Sequence, residues 1–293
     1  MTLSPIDPAL RIASVHLAVS DLARSIDFYE RVLGLPRISS DEDQALLGPD
    51  GERALLRLTR IAHPTFVPRG STGLFHVAYL YPTRQALAEG VLRVAHNRWP
   101  IDGVADHGVS EAIYLSDPDG LGIEIYVDRP REQWSRPASG HGVNMVTLPL
   151  DLDDLLTQAS AGSTPAMPSG TGIGHVHLKV ADVARSSAFY RDALGLEEQA
   201  QLPSAAFLSA GGYHHHIGLN SWHSQGGAAP PDTAPDLRLI EFELSAPAEL
   251  DVLEHRLGNA LAEGSAEAPR TSEHMGDRCL SLRDPNRVAL GFS

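Results

Sequence analysis

The sequence has few of the features that place a protein outside the cytosol or on a nucleic acid. Cys279 is the single cysteine among 293 residues, so an intramolecular disulfide is excluded. No apolar run approaches the roughly 20 residues that span a bilayer, and the first residues lack the pattern of a secretion signal. Lys and Arg number 23 against 37 Asp and Glu, without a basic cluster, which argues against a nucleic-acid partner. We therefore expect a cytoplasmic protein that acts on a small molecule.

An internal repeat is the most informative feature of the chain. VHLAVSDLARSIDFYERVLGL at 15–35 returns as VHLKVADVARSSAFYRDALGL at 176–196, with 13 of 21 positions identical and an offset of 161. Each copy reads as a strand followed by a helix that is capped near Asp21 or Asp182 and closed by Gly34 or Gly195. The chain therefore contains a duplicated unit.

Each copy is followed by a second strand–helix unit, at 73–97 and at 236–261. Short alternating strands and Asp-Pro turns complete each unit, which gives four modules. We predict one two-module domain at 10–128 and another at 173–293. The stretch 129–172 is rich in Pro, Ser, Gly and Ala and is predicted to be a long linker.

Segment 103–128 contains a spaced set of polar residues. His107 is followed seven residues later by Tyr114, then by an Asp-Pro-Asp-Gly turn, and then by Glu124 in the next strand. This pattern resembles the signature of extradiol dioxygenases in the vicinal-oxygen-chelate superfamily. Over nearly its full length, including GYHHHIGLN and DRPREQW, the chain is similar to the catechol-2,3-dioxygenase group. The resemblance implies an α+β fold in which four βαβββ modules form two barrels.

The resemblance also implies a metal held by two His and one carboxylate, the facial triad of non-haem iron oxygenases. Glu124 is the implied carboxylate, and His76, in the first strand of the same module, is one implied His. The expected cofactor is Fe(II), although Mn(II) suits the same ligands.

The third ligand is a choice between His16 and His177, which occupy equivalent positions in the repeat. Pairing of modules one and two would select His16, and pairing of modules two and three would select His177. His175 lies on the same strand face as His177, but the VHL shared with the first repeat favours His177.

Module three contains YHHHIGLN at 213–220, whereas the equivalent GERALLRL at 51–58 has no His. The run resembles the His pair of the dioxygenases, whose second member is the acid/base. That alignment falls on His215, with His214 and His216 as alternatives.

Module four cannot complete a site, because it has Leu239 or Ile240 at the position of His76 and Gly291 at the position of Glu124. Shorter relatives with one unit place GHVHL and YHHHIGLN directly before LFHVA and SEAIYL, the reverse of the order in this chain. We therefore predict that modules two and three pair across the linker and that His177 is the third ligand.

The implied activity is cleavage of a catechol ring with O2, as in the breakdown of aromatic compounds. His215 would be the acid/base, and His107 and Tyr114 would bind the substrate oxygens. No membrane partner is expected, and the sequence leaves a homo-oligomer open.

Two other functions occur on this fold. A glyoxalase-like isomerase or transferase usually needs a second carboxylate ligand, which is missing from the partner module. A metal-free drug-binding protein would leave the retained His, Glu and Tyr residues unexplained. Fold alone cannot separate these functions.

Overall fold

The computed structural model describes residues 5–138, 140–162, 166–262, 268–274 and 277–293. Four βαβββ modules account for nearly all of the regular structure, as the sequence predicted. Module one consists of β1 (Arg11–Val19), α1 (Leu22–Arg31), β2 (Arg37–Ser40), β3 (Gln44–Leu47) and β4 (Leu56–Arg60). Module two consists of β5 (Gly73–Leu80), α2 (Arg84–His96), β6 (Gly103–Asp106), β7 (Ser110–Ser116) and β8 (Gly122–Asp128).

The second half of the chain repeats this order. Between the halves lie a 3-10 turn at Arg131–Gln133 and the short helix α3 (Leu152–Leu156). Module three consists of β9 (Gly172–Lys179), α4 (Val183–Ala188, continued by π-helix Phe189–Ala193), β10 (Glu197–Leu202), β11 (Ala205–Ser209) and β12 (Ile217–Asn220). Module four consists of β13 (Asp236–Glu243), α5 (Pro247–Ala262), β14 (Arg270–His274), β15 (Asp277–Arg283) and β16 (Ala289–Phe292).

The repeated helices begin and end where the sequence indicates. Asp21 and Asp182 each accept a hydrogen bond from the backbone N–H three residues further on, which stabilises the first turn. Gly34 and Gly195 follow the helices with φ of 70° and 87°, a conformation that costs glycine little. The apolar side chains at helical spacing in α1 are buried against the sheet.

The modules pair in a crossed order along the chain. β5 lies antiparallel to β9, so modules two and three share one half of the molecule. β1 lies antiparallel to β13, so modules one and four share the other half. The two halves meet in the sheet where Ile12 pairs with Ile173. The predicted pairing of modules two and three is confirmed, and each half takes one module from each sequence repeat.

Within each sequence repeat, a buried tyrosine connects the two halves of the molecule. The Tyr29 hydroxyl in module one donates to Asp117 in module two at 3.4 Å. The equivalent Tyr190 in module three donates to Asp284 in module four at 3.2 Å. Both carboxylates belong to the Asp-Pro turns, so these turns fasten one half to the other. Burial raises the pKa of Asp117 to about 6.

In the described residues, no helix combines the length and the apolar character that crossing a bilayer requires.

Candidate metal centre and substrate cavity

Modules two and three enclose a cavity of about 450 Å³ beside the seam between β5 and β9. Its polar end is built from side chains of β5, β7, β8 and β9 and of the loop before β12. The polar lining residues include His76, His107, Tyr114, Glu124, His175, His177 and His215. All six residues predicted from the sequence as site residues are therefore in one cavity, together with His175.

Glu124 is at the centre of the polar end and is almost fully buried. Its Oε2 lies 2.9 Å from His76 Nε2 and 3.0 Å from His175 Nε2. The two Nε2 atoms are 3.4 Å apart, so three ligand atoms converge on one point. Burial alone raises the pKa of Glu124, but the two imidazoles hold that pKa well below its ordinary value.

This donor set fits a divalent metal. Two imidazole nitrogens and one carboxylate oxygen are the set used by facial-triad metal sites. The three ligand atoms face one another within a buried space, and a cation between them could be coordinated by all three. His175 is held by packing, since its ring lies 5.0 Å from that of Tyr126 and 4.0 Å from that of His215.

His177, the ligand expected from the sequence, is not part of this converging group. It pairs in register with His76, but its Nε2 has no hydrogen-bond partner among the described residues. Its ring lies 5.2 Å from that of Phe75 and 5.8 Å from that of Trp222. Burial lowers the pKa of His177 well below its ordinary value, so the ring is neutral.

The repeat itself contains the signal that distinguishes His175 from His177. His16 is the counterpart of His177, and it contacts Thr59 at 2.8 Å in the half of the molecule away from the cavity. Ser14 is the counterpart of His175, and it bonds to Glu241. The His shared by both copies is therefore a common feature of the strand, whereas His175 occurs only in the copy that lines the cavity.

The three consecutive residues His214, His215 and His216 make different contacts. His216 Nδ1 accepts a hydrogen bond from the backbone N–H of Ala210 at 3.1 Å, which is a structural contact. His214 Nε2 lies 2.9 Å from Asp128, and His214 Nδ1 lies 2.8 Å from His215 Nδ1. Of the three, His215 lines the cavity.

These contacts assign the protons on the rings. The carboxylate of Asp128 can only accept, so His214 Nε2 carries a proton and, in the neutral ring, His214 Nδ1 accepts. His215 Nδ1 must then donate, which leaves His215 Nε2 unprotonated. Burial lowers the pKa of His215 well below its ordinary value, in keeping with a neutral ring.

His107 and Tyr114 form a second fixed pair. His107 Nδ1 donates to the carbonyl of Val146 at 2.7 Å, since a carbonyl can only accept. The other nitrogen, Nε2, lies 2.6 Å from the Tyr114 hydroxyl. Burial and the nearby Glu124 raise the pKa of Tyr114, so its hydroxyl stays protonated.

Part of the predicted linker closes one side of the cavity. We call residues 143–148 the strap. Backbone hydrogen bonds join Leu148 to Asp106 on β6 in both directions, and Val143 donates to the carbonyl of Gln199 on β10. The strap therefore spans modules two and three. Its composition indicated a loop, but nothing in the sequence placed it over the site.

The family and the relatives of the chain agree with this architecture. The sequence profile of the Glyoxalase/Bleomycin resistance protein/Dioxygenase superfamily matches residues 11–125 and 172–286. The chain belongs to this superfamily. It is 41% identical over 252 residues to the catechol-2,3-dioxygenase of Bacillus subtilis (strain 168), a match that covers 85% of this chain and 88% of the relative. The superfamily and group expected from the sequence are confirmed.

More distant relatives share the fold. The lactoylglutathione lyase of Escherichia coli O157:H7 is 27% identical over 128 residues, 41% of this chain and 94% of that protein. A solved structure from Bacillus subtilis subsp. subtilis str. 168 has a TM-score of 0.65 at 15% identity, covering 99% of this chain and 86% of the other. Glyoxalase I from Zea mays has a TM-score of 0.57 at 17% identity, covering 97% and 92%. These structures confirm the predicted two-barrel, duplicated fold.

Proposed function

We propose that this member of the superfamily is an extradiol dioxygenase that cleaves a catechol with O2, using a divalent metal held by His76, Glu124 and His175. The observation that carries the proposal is the convergence of these three ligand atoms at the polar end of the cavity. The 41% identity to a catechol-2,3-dioxygenase over most of both chains supports the enzyme class predicted from the sequence.

Fe(II) is the metal that we propose, because the facial triad leaves positions for a chelating substrate and O2 and iron can pass electrons between them. The chain's own contribution is to fix the ligands and to exclude water. Glu124, His76 and His175 are all buried. A catechol that enters the cavity would place its two hydroxyls beside the metal ligands. One hydroxyl would lie near His215 and the other near Tyr114.

His215 is the proposed acid/base. Its Nε2 is the unprotonated nitrogen, while Nδ1 is tied through His214 to Asp128. It can therefore take a proton from a substrate hydroxyl and return it later in the reaction, and Asp128 stabilises the positive charge that spreads to His214.

His107 and Tyr114 are proposed to hold the substrate oxygen on the opposite side. The strap carbonyl at Val146 fixes the proton of His107 on Nδ1. His107 Nε2 therefore accepts, and the Tyr114 hydroxyl donates to it over 2.6 Å. The hydroxyl can rotate toward a substrate oxygen and donate there, which orients the ring before cleavage.

A glyoxalase-like isomerase is disfavoured by Gly218. Strand register places Gly218 beside His177 in the same way that Glu124 lies beside Ala78. A Cβ on Gly218 would lie 2.8 Å from the His177 ring, so no carboxylate ligand fits there. Among the described lining residues, Glu124 is the one carboxylate.

Anaerobic reconstitution with Fe(II), followed by O2 and catechol, tests the proposal. The expected result is a yellow ring-fission product, with one metal bound per chain and loss of activity on chelation. Reconstitution with Mn(II) in parallel separates the two candidate metals. Metal binding without ring fission of any catechol would contradict the proposed reaction. A cytosolic location and the domain limits 10–128 and 173–293 remain predictions.

A further inference from the structure

The cavity has a polar end and an apolar mouth. Beyond the metal ligands, its walls are formed by Phe75, Val104, Ala105 and Phe207. The mouth is bounded by Val146 on the strap, Leu202 at the end of β10 and Trp222 after β12.

The side chains at the mouth are unusually exposed for their type. Leu202 is 49% exposed, Trp222 is 48% exposed and Val146 is 38% exposed. Trp222 is nevertheless held in place, because its Nε1 donates to Ser204 at 3.2 Å and its ring packs edge-on against Phe75. Large apolar side chains that are fixed around a cavity mouth mark a surface that a ligand covers.

The size of the cavity leaves space beyond a catechol ring. A cavity of about 150 Å³ already accommodates benzene, and this one is about 450 Å³. A substrate that fills it must therefore carry a substituent that extends from the polar end toward the mouth.

The charge of the lining determines what that substituent can be. No Lys or Arg lines the cavity in the described part of the chain. Arg129 is paired with Asp106 and Glu111, and Arg131 lies over the rings of Trp134 and Tyr213. A carboxylate on the substrate would lose water without gaining a cation.

Building on the proposed function, we infer that the substrate is a catechol with an uncharged, apolar aryl or branched alkyl substituent, which covers Leu202 and Trp222. Catechols that carry a carboxylate directly on the ring are poor substrates, since no cation among the described lining residues compensates for a charge placed between the apolar walls. Trp222 and Leu202 are specificity-determining residues, and they take no part in the ring cleavage itself.

The experiment compares kcat/KM for unsubstituted catechol, 3-phenylcatechol, 3,4-dihydroxybenzoate and the methyl ester of that acid. The ester and the acid place groups of similar shape at the same ring position but differ in charge. The ester also withdraws more electron density from the ring, so the change of their ratio between variants isolates the effect of charge at the mouth. We expect the ester to exceed the acid by about 100-fold and 3-phenylcatechol to exceed catechol. Equal values for ester and acid, with catechol cleaved, would overturn the inference and leave the dioxygenase intact. Failure to cleave every catechol would instead overturn the function on which the inference rests.

Two variants locate the effect at the mouth. Trp222→Ala should lower kcat/KM for 3-phenylcatechol by about tenfold more than it lowers kcat/KM for catechol. Leu202→Arg should raise kcat/KM for the acid relative to the ester, because it supplies the missing cation. Val252→Arg, at a 44% exposed position on α5 in the other half, is the matched control and should leave the ratio unchanged. The same ratio in Leu202→Arg and Val252→Arg would contradict the assignment of the mouth.

Quenching of Trp222 fluorescence gives a reading that does not depend on turnover. In metal-free protein, 3-phenylphenol should quench part of the tryptophan emission, and Trp222→Phe should remove that part. Quenching that persists in Trp222→Phe would place the apolar ligand away from the mouth and refute the inference.

Discussion

Replacing His175 with Ala should abolish tight metal binding, whereas the same change at His177 should not. His175 Nε2 lies 3.0 Å from Glu124 Oε2, while His177 Nε2 has no polar partner among the described residues. His175→Ala removes one of the three proposed ligands, and His177→Ala removes only packing around them. His76→Ala and Glu124→Ala should resemble His175→Ala, and His16→Ala should resemble the unaltered protein.

The size of the effect follows from binding linkage. A metal present at 100 times its Kd stabilises the folded protein by about 2.7 kcal/mol. If loss of a ligand weakens binding about 100-fold, the stabilisation at the same concentration falls to about 0.4 kcal/mol. For a chain of this size, we expect the metal-induced rise in Tm to shrink from about 4 °C to less than about 1 °C.

The assay is thermal unfolding with and without Fe(II) under anaerobic conditions, together with metal analysis after gel filtration. His177→Ala should keep one metal per chain and most of the rise in Tm, even if its unfolding temperature without metal is lower. Iron lost from His177→Ala but retained by His175→Ala would refute the geometric reasoning and restore the ligand expected from the repeat.

Three further predictions concern individual side chains. His215→Ala should retain the metal and lower kcat by about 10²–10⁴-fold, and His216→Ala should keep far more activity; equal losses would contradict the division of work in the His run. Burial raises the pKa of Asp117 from 3.8 to about 6, so its favourable contribution is complete below pH 4 and is lost as the pH rises through 6. Urea unfolding should therefore show that the free energy of unfolding of Asp117→Asn, relative to that of the unaltered protein, rises by up to about 3 kcal/mol between pH 3.5 and pH 7. A difference in unfolding free energy that stays constant with pH would refute this. Gly218→Ala should destabilise the fold by about 1–3 kcal/mol, because the new Cβ would lie 2.8 Å from the His177 ring. The control is Gly172→Ala on β9, whose Cβ would meet nothing within 4 Å and which should be close to neutral in the same unfolding assay.

Most of the architecture could be predicted from local patterns. The repeat, the capping Asp residues and the closing glycines determine the modules, because these signals act over a few residues. The crossed pairing could also be predicted, since the residues of a site must meet and module four has Leu239 and Gly291 where ligands would be needed.

The convergence of His175, rather than His177, on His76 and Glu124 could not be predicted in the same way. His175 and His177 point to the same face of β9, so strand periodicity does not separate them. Their difference depends on how β9 lies against β5, where one register shift precedes His76 and another follows Ala78. The contact of the strap with His107 depends likewise on a carbonyl at Val146, and a backbone carbonyl leaves no mark in a sequence.

The crossed pairing also sets an order for folding during synthesis. The pair His76 and His175 is 99 residues apart, whereas Ser14 and Glu241 on the paired strands of the other half are 227 apart. Every residue that lines the cavity has been made by Trp222, before β13 begins at Asp236. The half that contains the metal centre can therefore close while module four is still being synthesised. Module one is synthesised first, but one edge of β1 stays unpaired until β13 of the last module has been made. On a stalled or truncated chain, this unpaired edge is the segment most exposed to aggregation.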